Sequence, residues 1–214
     1  MTNSAALHRP ARIVLAATIV VGLSGSIFAW QRHIKDRWIP KRWAAVEEGK
    51  IFRSARLSQA LVARTLARHR VGVVVDLTCT EPDDPDQLAE IRACETLGIQ
   101  RVQQPLGGDG TGKIENYVSA IAAIARAVRN RKPVLVHCAA GVHRTGGVLA
   151  AYRILVRGDN PRQVYHDTQA AGWTPQSNPA LALYLNRNMQ SLAEHLVAAG
   201  VIDQVPHPLP VFGP

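Results

Sequence analysis

The sequence predicts an α/β domain in which a central, mostly parallel sheet is flanked by helices, preceded by one N-terminal transmembrane helix. Three observations predict it. Short aliphatic and β-branched runs alternate along the chain with stretches of helical periodicity. An uncharged apolar stretch stands ahead of them. One of the strand-like runs passes through a glycine-containing turn directly into a helix, the connection from which parallel sheets are built.

Taken in order, Ile13 to Trp30 (IVLAATIVVGLSGSIFAW) has eighteen residues and no charge. At about 1.5 Å per residue it comes close to the hydrocarbon thickness of a bilayer, with Trp30 at the interface. A buried core helix would carry charge on one face, and cleavage after Ala29 would put Ile27 where a small residue is wanted, so a retained anchor is expected. Arg9 and Arg12 precede it, whereas Arg32, Lys35, Arg37, Lys41 and Arg42 follow closely. The heavier basic flank belongs on the cytoplasmic side, which places the domain that follows it there too. The expected divisions are an N-terminal flank at 1–12, the anchor at 13–30, a basic linker at 31–45, the catalytic domain at 46–203 and a Pro-rich tail at 204–214.

Within the domain, Ile51 to Arg53 reads as a short first strand and Ser58 to His69 as a helix. The VGVVVDL run from Val71 to Leu77 has the composition of a strand buried on both faces. A helix follows over Pro85 to Leu97, then a strand near Ile99 to Pro105. Ile114 to Arg129 repeats its apolar residues at three and four, the mark of an amphipathic helix. Pro133 to His137 (PVLVH) is another buried strand, with a helix opening near Thr145. Helices over Pro161 to Ala171 and Pro179 to Ala199 close the domain, and the tail VPHPLPVFGP is expected to be extended or disordered.

Composition excludes several functions. The net charge of +9 is concentrated at the front: Met1 to Arg53 carry nine Lys/Arg against three Asp/Glu. Basic residues beside an apolar stretch fit membrane topology and anionic headgroups, so no nucleic-acid partner is expected. Cys79, Cys94 and Cys138 are too few and too far apart for a disulfide scaffold or zinc knuckle. The eight histidines form no helical ligand pair, and no metal or cofactor is expected.

The chemistry is concentrated in HCAAGVHRTG, directly after the PVLVH strand. A helix N-terminus offers unpaired N–H groups and partial positive charge, which bind a phosphate dianion and favour a thiolate. Cys138 stands at its mouth, and Arg144 is spaced to fold back and clamp two phosphate oxygens. Gly141 lets the turn curl so that the N–H groups of Ala139, Ala140, Gly141, Val142 and His143 converge as a nest for a tetrahedral oxyanion. The same field lowers the thiol pKa, so that attack on phosphorus to form a phosphocysteine is available near neutral pH. Thr145 is near enough to hydrogen-bond the sulfur as it leaves in the second step. His137, at the buried strand end, is expected to support the loop by bonding its backbone. Inert packing is the ordinary fate of a single buried Cys, but His, Cys, Gly, Arg and Thr at these offsets make coincidence a poor explanation.

This segment resembles the HCxxGxxR[ST] signature of the protein tyrosine phosphatase superfamily, in its small dual-specificity branch, and every fixed position is met. The resemblance reaches upstream to GKIFRSARLS and covers about residues 46 to 175. It implies a cysteine-dependent phosphatase with a shallow pocket, since no counterpart of the longer tyrosine-specific domain's recognition segment is present. It also implies a general acid on a mobile loop between the preceding strand and helix. Here that loop is PLGGDGTGK, where Asp109 is the only acid among Gly107, Gly108, Gly110 and Gly112. Asp-Gly is also plain turn chemistry.

Two further features face the same sheet edge. Glu81, in TCTEPDDPD, is a candidate to hold the Arg144 guanidinium in its clamping rotamer, with a solvated acidic loop as the alternative. Cys79 is a candidate to form a protective disulfide with an oxidised Cys138, as in some lipid phosphatases of the superfamily; a small packing residue is the alternative. The expected substrate is a phosphoprotein, at phosphotyrosine and phosphoserine/threonine alike. The alternatives are a phosphoinositide or inositol phosphate, and an inactive phosphate-binding module. Ala139, Ala140, Val142 and His143 supply no fixed extra cation, which weighs against highly phosphorylated inositides, whereas a basic stretch beside a membrane weighs for them.

Overall fold

The sheet has five strands in the order β1-β2-β5-β3-β4. These are β1 (Ala44–Glu47), β2 (Ile51–Ala55), β3 (Val73–Asp76), β4 (Gln100–Gln103) and β5 (Val134–Cys138). The pairs β2–β5, β5–β3 and β3–β4 are parallel, and only β1 at the edge runs antiparallel to its neighbour. The computed structural model describes residues 38–214, of which Pro40–Pro214 form one compact unit. The stretch from Ile13 to Trp30 lies outside the described residues. Among the described residues, no helix is long and apolar enough to cross a membrane.

The strands alternate between two cores, as a period of two requires. Val73, Val75, Val134 and Val136 face a large cluster with α3 (Ile114–Arg129), α4 (His143–Leu155) and α6 (Pro179–Ala198). Phe52, Val74 and Leu135 face the other way, onto α1 (Val62–Arg68) and α2 (Pro85–Leu97). Both faces of the sheet are covered, which is why β3 and β5 are buried at every residue and read as continuous apolar runs.

Local chemistry sets several boundaries where the sequence places them. Asp84 caps α2 by accepting from the Gln87 N–H at 2.8 Å, Pro85 occupies the first turn, and Gly98 ends the helix at φ +65°. Asn160 caps α5 (Pro161–Ala170) in the same way, ahead of Pro161.

Two expectations need correction. The linker boundary at residue 45 falls inside β1, whose pairing with β2 includes Ala44 opposite Arg53. Trp43 packs on Phe52 and on His69 at ring distances of 5.1 and 4.5 Å, and Lys41 O accepts from the Ala55 N–H at 2.9 Å, so residues 41–45 already belong to the domain. The tail is not a loose terminus either. Phe212 is 1% exposed between Trp173 and Tyr165, and Asn186 brackets its backbone, accepting from its N–H at 2.8 Å and donating to its carbonyl at 3.0 Å. Proline content signals an extended backbone; it says nothing of whether one aromatic ring finds a slot.

Candidate active site

Cys138 ends β5 and His143 begins α4, so Ala139, Ala140, Gly141 and Val142 make the turn between them. Three consecutive carbonyls of this turn are held from outside. Ala139 O accepts from the Arg56 N–H at 3.3 Å, Ala140 O from Arg42 Nη1 at 3.0 Å, and Gly141 O from Arg53 Nη2 at 2.7 Å. Carbonyls drawn outward turn the peptide N–H groups toward the concave side, the arrangement that binds oxyanions. Gly141 N–H donates to Cys138 Sγ at 3.2 Å. Glycine is required there: φ is +69°, and a Cβ would stand 2.4 Å from Ser54 O and 2.5 Å from Ala55 N.

The sulfur is buried yet stabilised as an anion. Burial by itself would raise the thiol pKa, but hydrogen bonds from the Thr145 hydroxyl and N–H, the Arg144 charge and the Gly141 N–H bring it below the ordinary thiol value. The Thr145 hydroxyl is buried and makes no hydrogen bond of normal geometry among the described residues, which leaves it available to the sulfur anion. Arg144 reaches Leu77 O only at 3.5 Å, and its Nε is buried without a partner among the described residues. Among the described residues, no acid pairs with Arg144, Arg42 or Arg53. Uncompensated guanidinium groups around a turn of this shape call for an anion.

Asp109 sits at the tip of its loop with Oδ1 committed to Thr111, accepting from the backbone N–H at 2.9 Å and the hydroxyl at 2.8 Å. These bonds, the backbone one first, hold its pKa below the ordinary carboxylate value. The loop, expected to be mobile so as to close over substrate, is hydrogen-bonded through four of its carbonyls. Asn178 Nδ2 donates to Asp109 O at 2.5 Å, Tyr117 to Gly110 O at 2.5 Å and Tyr184 to Gly112 O at 2.8 Å, while His143 Nδ1 lies 3.2 Å from Gly108 O. Side chains of three helices and of the residue that precedes α6, which no local pattern associates with the loop, thus bond its carbonyls.

Residues 53–159, half of the chain, match the family model described as "Polymorphic toxin system, DSP-PTPase phosphatase". The chain belongs to this DSP-PTPase phosphatase family. The match begins at Arg53 and takes in Arg56, the Asp109 loop and the whole turn from His137 to Thr145. The vaccinia virus (strain Western Reserve) dual specificity protein phosphatase OPG106 is 40% identical over 55 residues, covering 25% of this chain and 32% of the relative. The chain therefore spans about a third of the length of the curated relatives it matches. Among solved structures, TpbA of P. aeruginosa in complex with pTyr is 22% identical with a TM-score of 0.57, covering 75% of this chain and 98% of that one. The core catalytic domain of the PP-IP phosphatase SIW14 from S. cerevisiae is 16% identical with a TM-score of 0.58, covering 80% and 97%. At these identities the structures show the shared fold.

Against that family frame, one candidate is displaced. Glu81 does not hold Arg144: its carboxylate accepts from Arg56 Nη1 at 2.8 Å, a guanidinium that also meets Asp84 at 2.5 Å and Thr78 at 2.9 Å. Arg56 follows β2 and reaches the acidic loop first. Cys79 is exposed and Cys138 buried, both as free thiols. His137 is buried as expected, but its ring meets carboxylates rather than loop backbone: Nε2 lies 2.8 Å from Glu90 Oε2 and 3.9 Å from Asp76 Oδ1. The ligand-capable atoms of Asp76, Glu90 and His137 lie within 4.8 Å of one another, yet Arg101 is already bonded to both carboxylates. The arginines Arg42, Arg53 and Arg56 were absent from the candidate set. The one signal for the last two was the GKIFRSARLS resemblance, which does not say what an arginine there would hold.

Proposed function

We propose that this chain hydrolyses phosphomonoesters through a phosphocysteine on Cys138, acting on phosphotyrosine and phosphoserine/threonine in proteins. The observation that carries this is the buried, anion-stabilised sulfur beside a guanidinium that has no acidic partner among the described residues. In the first step the Cys138 thiolate attacks phosphorus and the bond to the ester oxygen breaks. Arg144 and the N–H groups from Ala139 to His143 hold the equatorial oxygens where charge develops. Asp109 gives its proton to the leaving oxygen. In the second step water attacks the phosphocysteine, Asp109 takes up its proton, and sulfur departs as a thiolate hydrogen-bonded by Thr145. The products are the alcohol or phenol and inorganic phosphate.

A phosphoinositide or inositol phosphate is the second reading, favoured by Arg42 and Arg53. Their charges lie beside the phosphate loop without acidic partners among the described residues. The likeness to a PP-IP phosphatase fold supports it. On sequence grounds alone, the stretch from Ile13 to Trp30 is our proposed membrane anchor, with the domain on the cytoplasmic side.

Residues 40–214 should be assayed on p-nitrophenyl phosphate, phosphotyrosyl and phosphoseryl peptides, and inositol phosphates. Turnover should vanish in Cys138→Ser while inorganic phosphate still binds. Faster hydrolysis of inositol phosphates than of any peptide would favour the second reading, and no turnover of any substrate by the wild type would leave only a phosphate-binding module.

A further inference from the structure

A cleft of about 330 Å³ that the hydrolytic steps do not use opens between β1, α4 and α5. Ala45, Leu149, Ala150, Val164 and Ala170 supply apolar walls, and Arg53 enters from β2. None of the residues lining the cleft belongs to the turn from Cys138 to Arg144. Arg53 stands opposite Val136 in the β2–β5 register, so its side chain leaves the sheet on the same face as Val136, toward α4.

The charges in this cleft are unevenly matched. Arg153 is fully engaged, since Asp159 and Asp167 each accept from it at 2.8 Å, and the other Asp167 oxygen accepts from Gln163 at 2.8 Å. The Thr168 hydroxyl donates to Val164 O at 2.7 Å. Arg53 has no acid. Its Nη2 donates to Gly141 O at 2.7 Å, and its Nε and Nη1 make no hydrogen bond among the described residues. Arg42 stands beside it, because the two guanidinium groups hold the consecutive carbonyls Ala140 O and Gly141 O. A Cβ on Gly172, next to the cleft residue Ala171, would lie 3.8 Å from Arg42 Nε, which brings this second cation to the rim. Burial lowers the Arg53 pKa, the Cys138 sulfur opposes this, and Arg42 lowers it further. An anion accepting from the free donors of Arg53 relieves both the repulsion between the two arginines and the unmet hydrogen bonds.

We propose that this cleft binds a small organic carboxylate, with its head on Arg53 and its apolar body against Leu149, Ala150 and Val164, and that a filled cleft slows turnover by drawing Arg53 from Gly141 O. A planar carboxylate matches the fork of guanidinium donors. A body of two fused rings suits a cleft at the lower end of the size range that holds small molecules. The site lies outside both substrate readings given above, and only its effect on rate rests on the Cys138 reaction.

The test is a nuclear magnetic resonance titration of residues 40–214, the compact unit, with naphthoate, run with and without saturating orthovanadate in the phosphate site. Binding should shift the amides of Ala45, Ala150 and Ala170 with a Kd of about 1 mM, the same in both series. Naphthamide, the neutral isostere, should bind at least about tenfold more weakly. Ala170→Leu and Ala45→Leu enlarge exposed walls of the cleft. Each should weaken naphthoate binding at least about tenfold and leave turnover of p-nitrophenyl phosphate unchanged when naphthoate is absent. Saturating naphthoate should lower kcat of the wild type at least about twofold, and should not do so in Ala170→Leu. Equal affinity for the amide, displacement by orthovanadate, or unchanged binding in both leucine variants would overturn the site. Full kcat in the saturated wild type would overturn its link to the phosphate loop. A wild type that binds naphthoate in this way but turns over no phosphate ester would defeat the proposed function and leave the anion site standing.

Discussion

Replacing Gly141 by alanine tests whether the phosphate loop is held rigidly against β2. The backbone there has φ +69°, a region that costs an L-residue about 1–2 kcal/mol. The new Cβ would stand 2.4 Å from Ser54 O and 2.5 Å from Ala55 N, well inside contact distance, and β2 cannot retreat because it is hydrogen-bonded to β5 along its whole length. The turn must therefore lift away. That sacrifices the bond from Arg53 to Gly141 O and the one from Arg56 N–H to Ala139 O, about 2–4 kcal/mol together, the first being charge-assisted. The expected loss is about 3–6 kcal/mol, a large share of a typical domain's stability of about 5–15 kcal/mol. Urea denaturation of Gly141→Ala should show it, and turnover of an aryl phosphate should fall at least about 100-fold, because the displaced N–H groups no longer point at the transition-state oxygens. Gly108→Ala is the stability control, since a Cβ there meets nothing within 4 Å. A Gly141→Ala protein within about 0.5 kcal/mol of wild type and within twofold in turnover would refute the tight approach of loop and strand.

Other consequences are equally open to measurement. Thr111→Ala removes one of the bonds that keep the Asp109 carboxyl acidic, so its pKa should rise. The alkaline limb of kcat/KM for poor leaving groups should then move to higher pH, whereas Asp109→Asn should abolish that limb. Phe212→Ala empties the slot beside Trp173 and Tyr165 and should cost about 3–4 kcal/mol in chemical denaturation, with KM little changed. Stability should also follow the Glu90–His137 pair. Glu90 titrates at about 2 in the folded chain, below its unfolded value of about 4.3, so its contribution is present above that value and is lost as pH falls through 2. His137 titrates at about 9, above its unfolded value of about 6.5, so its contribution is complete below 6.5 and is lost as pH rises through 9. The pair should contribute most between about pH 4.5 and 6.5, and a Tm profile of Glu90→Gln should be flatter than wild type on both sides.

The phosphate loop depends on donors from outside itself. Its own residues supply a thiol, a hydroxyl and a guanidinium, but a flexible glycine-containing turn would not keep its carbonyls outward unaided. Arg42, Arg53 and the Arg56 N–H do so from β1, β2 and their flanks, and the half-buried Arg53 also adds positive charge to the sulfur's surroundings. The same division holds for the acid loop, where Tyr117, Asn178 and Tyr184 bond carbonyls that Asp109 and its glycines could not fix alone.

What the sequence determined by itself is what depends on neighbours along the chain. The alternation of buried strand and amphipathic helix, the Asp84-Pro85 start and Gly98 stop of α2, and the strand, turn and helix around Cys138 are all set within a few residues. So is the need for glycine at position 141, because a turn that curls its N–H groups inward takes positive φ there. What only the tertiary structure decided is which charge meets which. Glu81 went to Arg56 rather than Arg144, His137 to Glu90 rather than loop backbone, and Phe212 to a slot between Trp173 and Tyr165. These partners are separated by 25 or more residues, and a side chain's choice among distant partners is made by distance and dielectric once the sheet has closed, neither of which is written in local pattern.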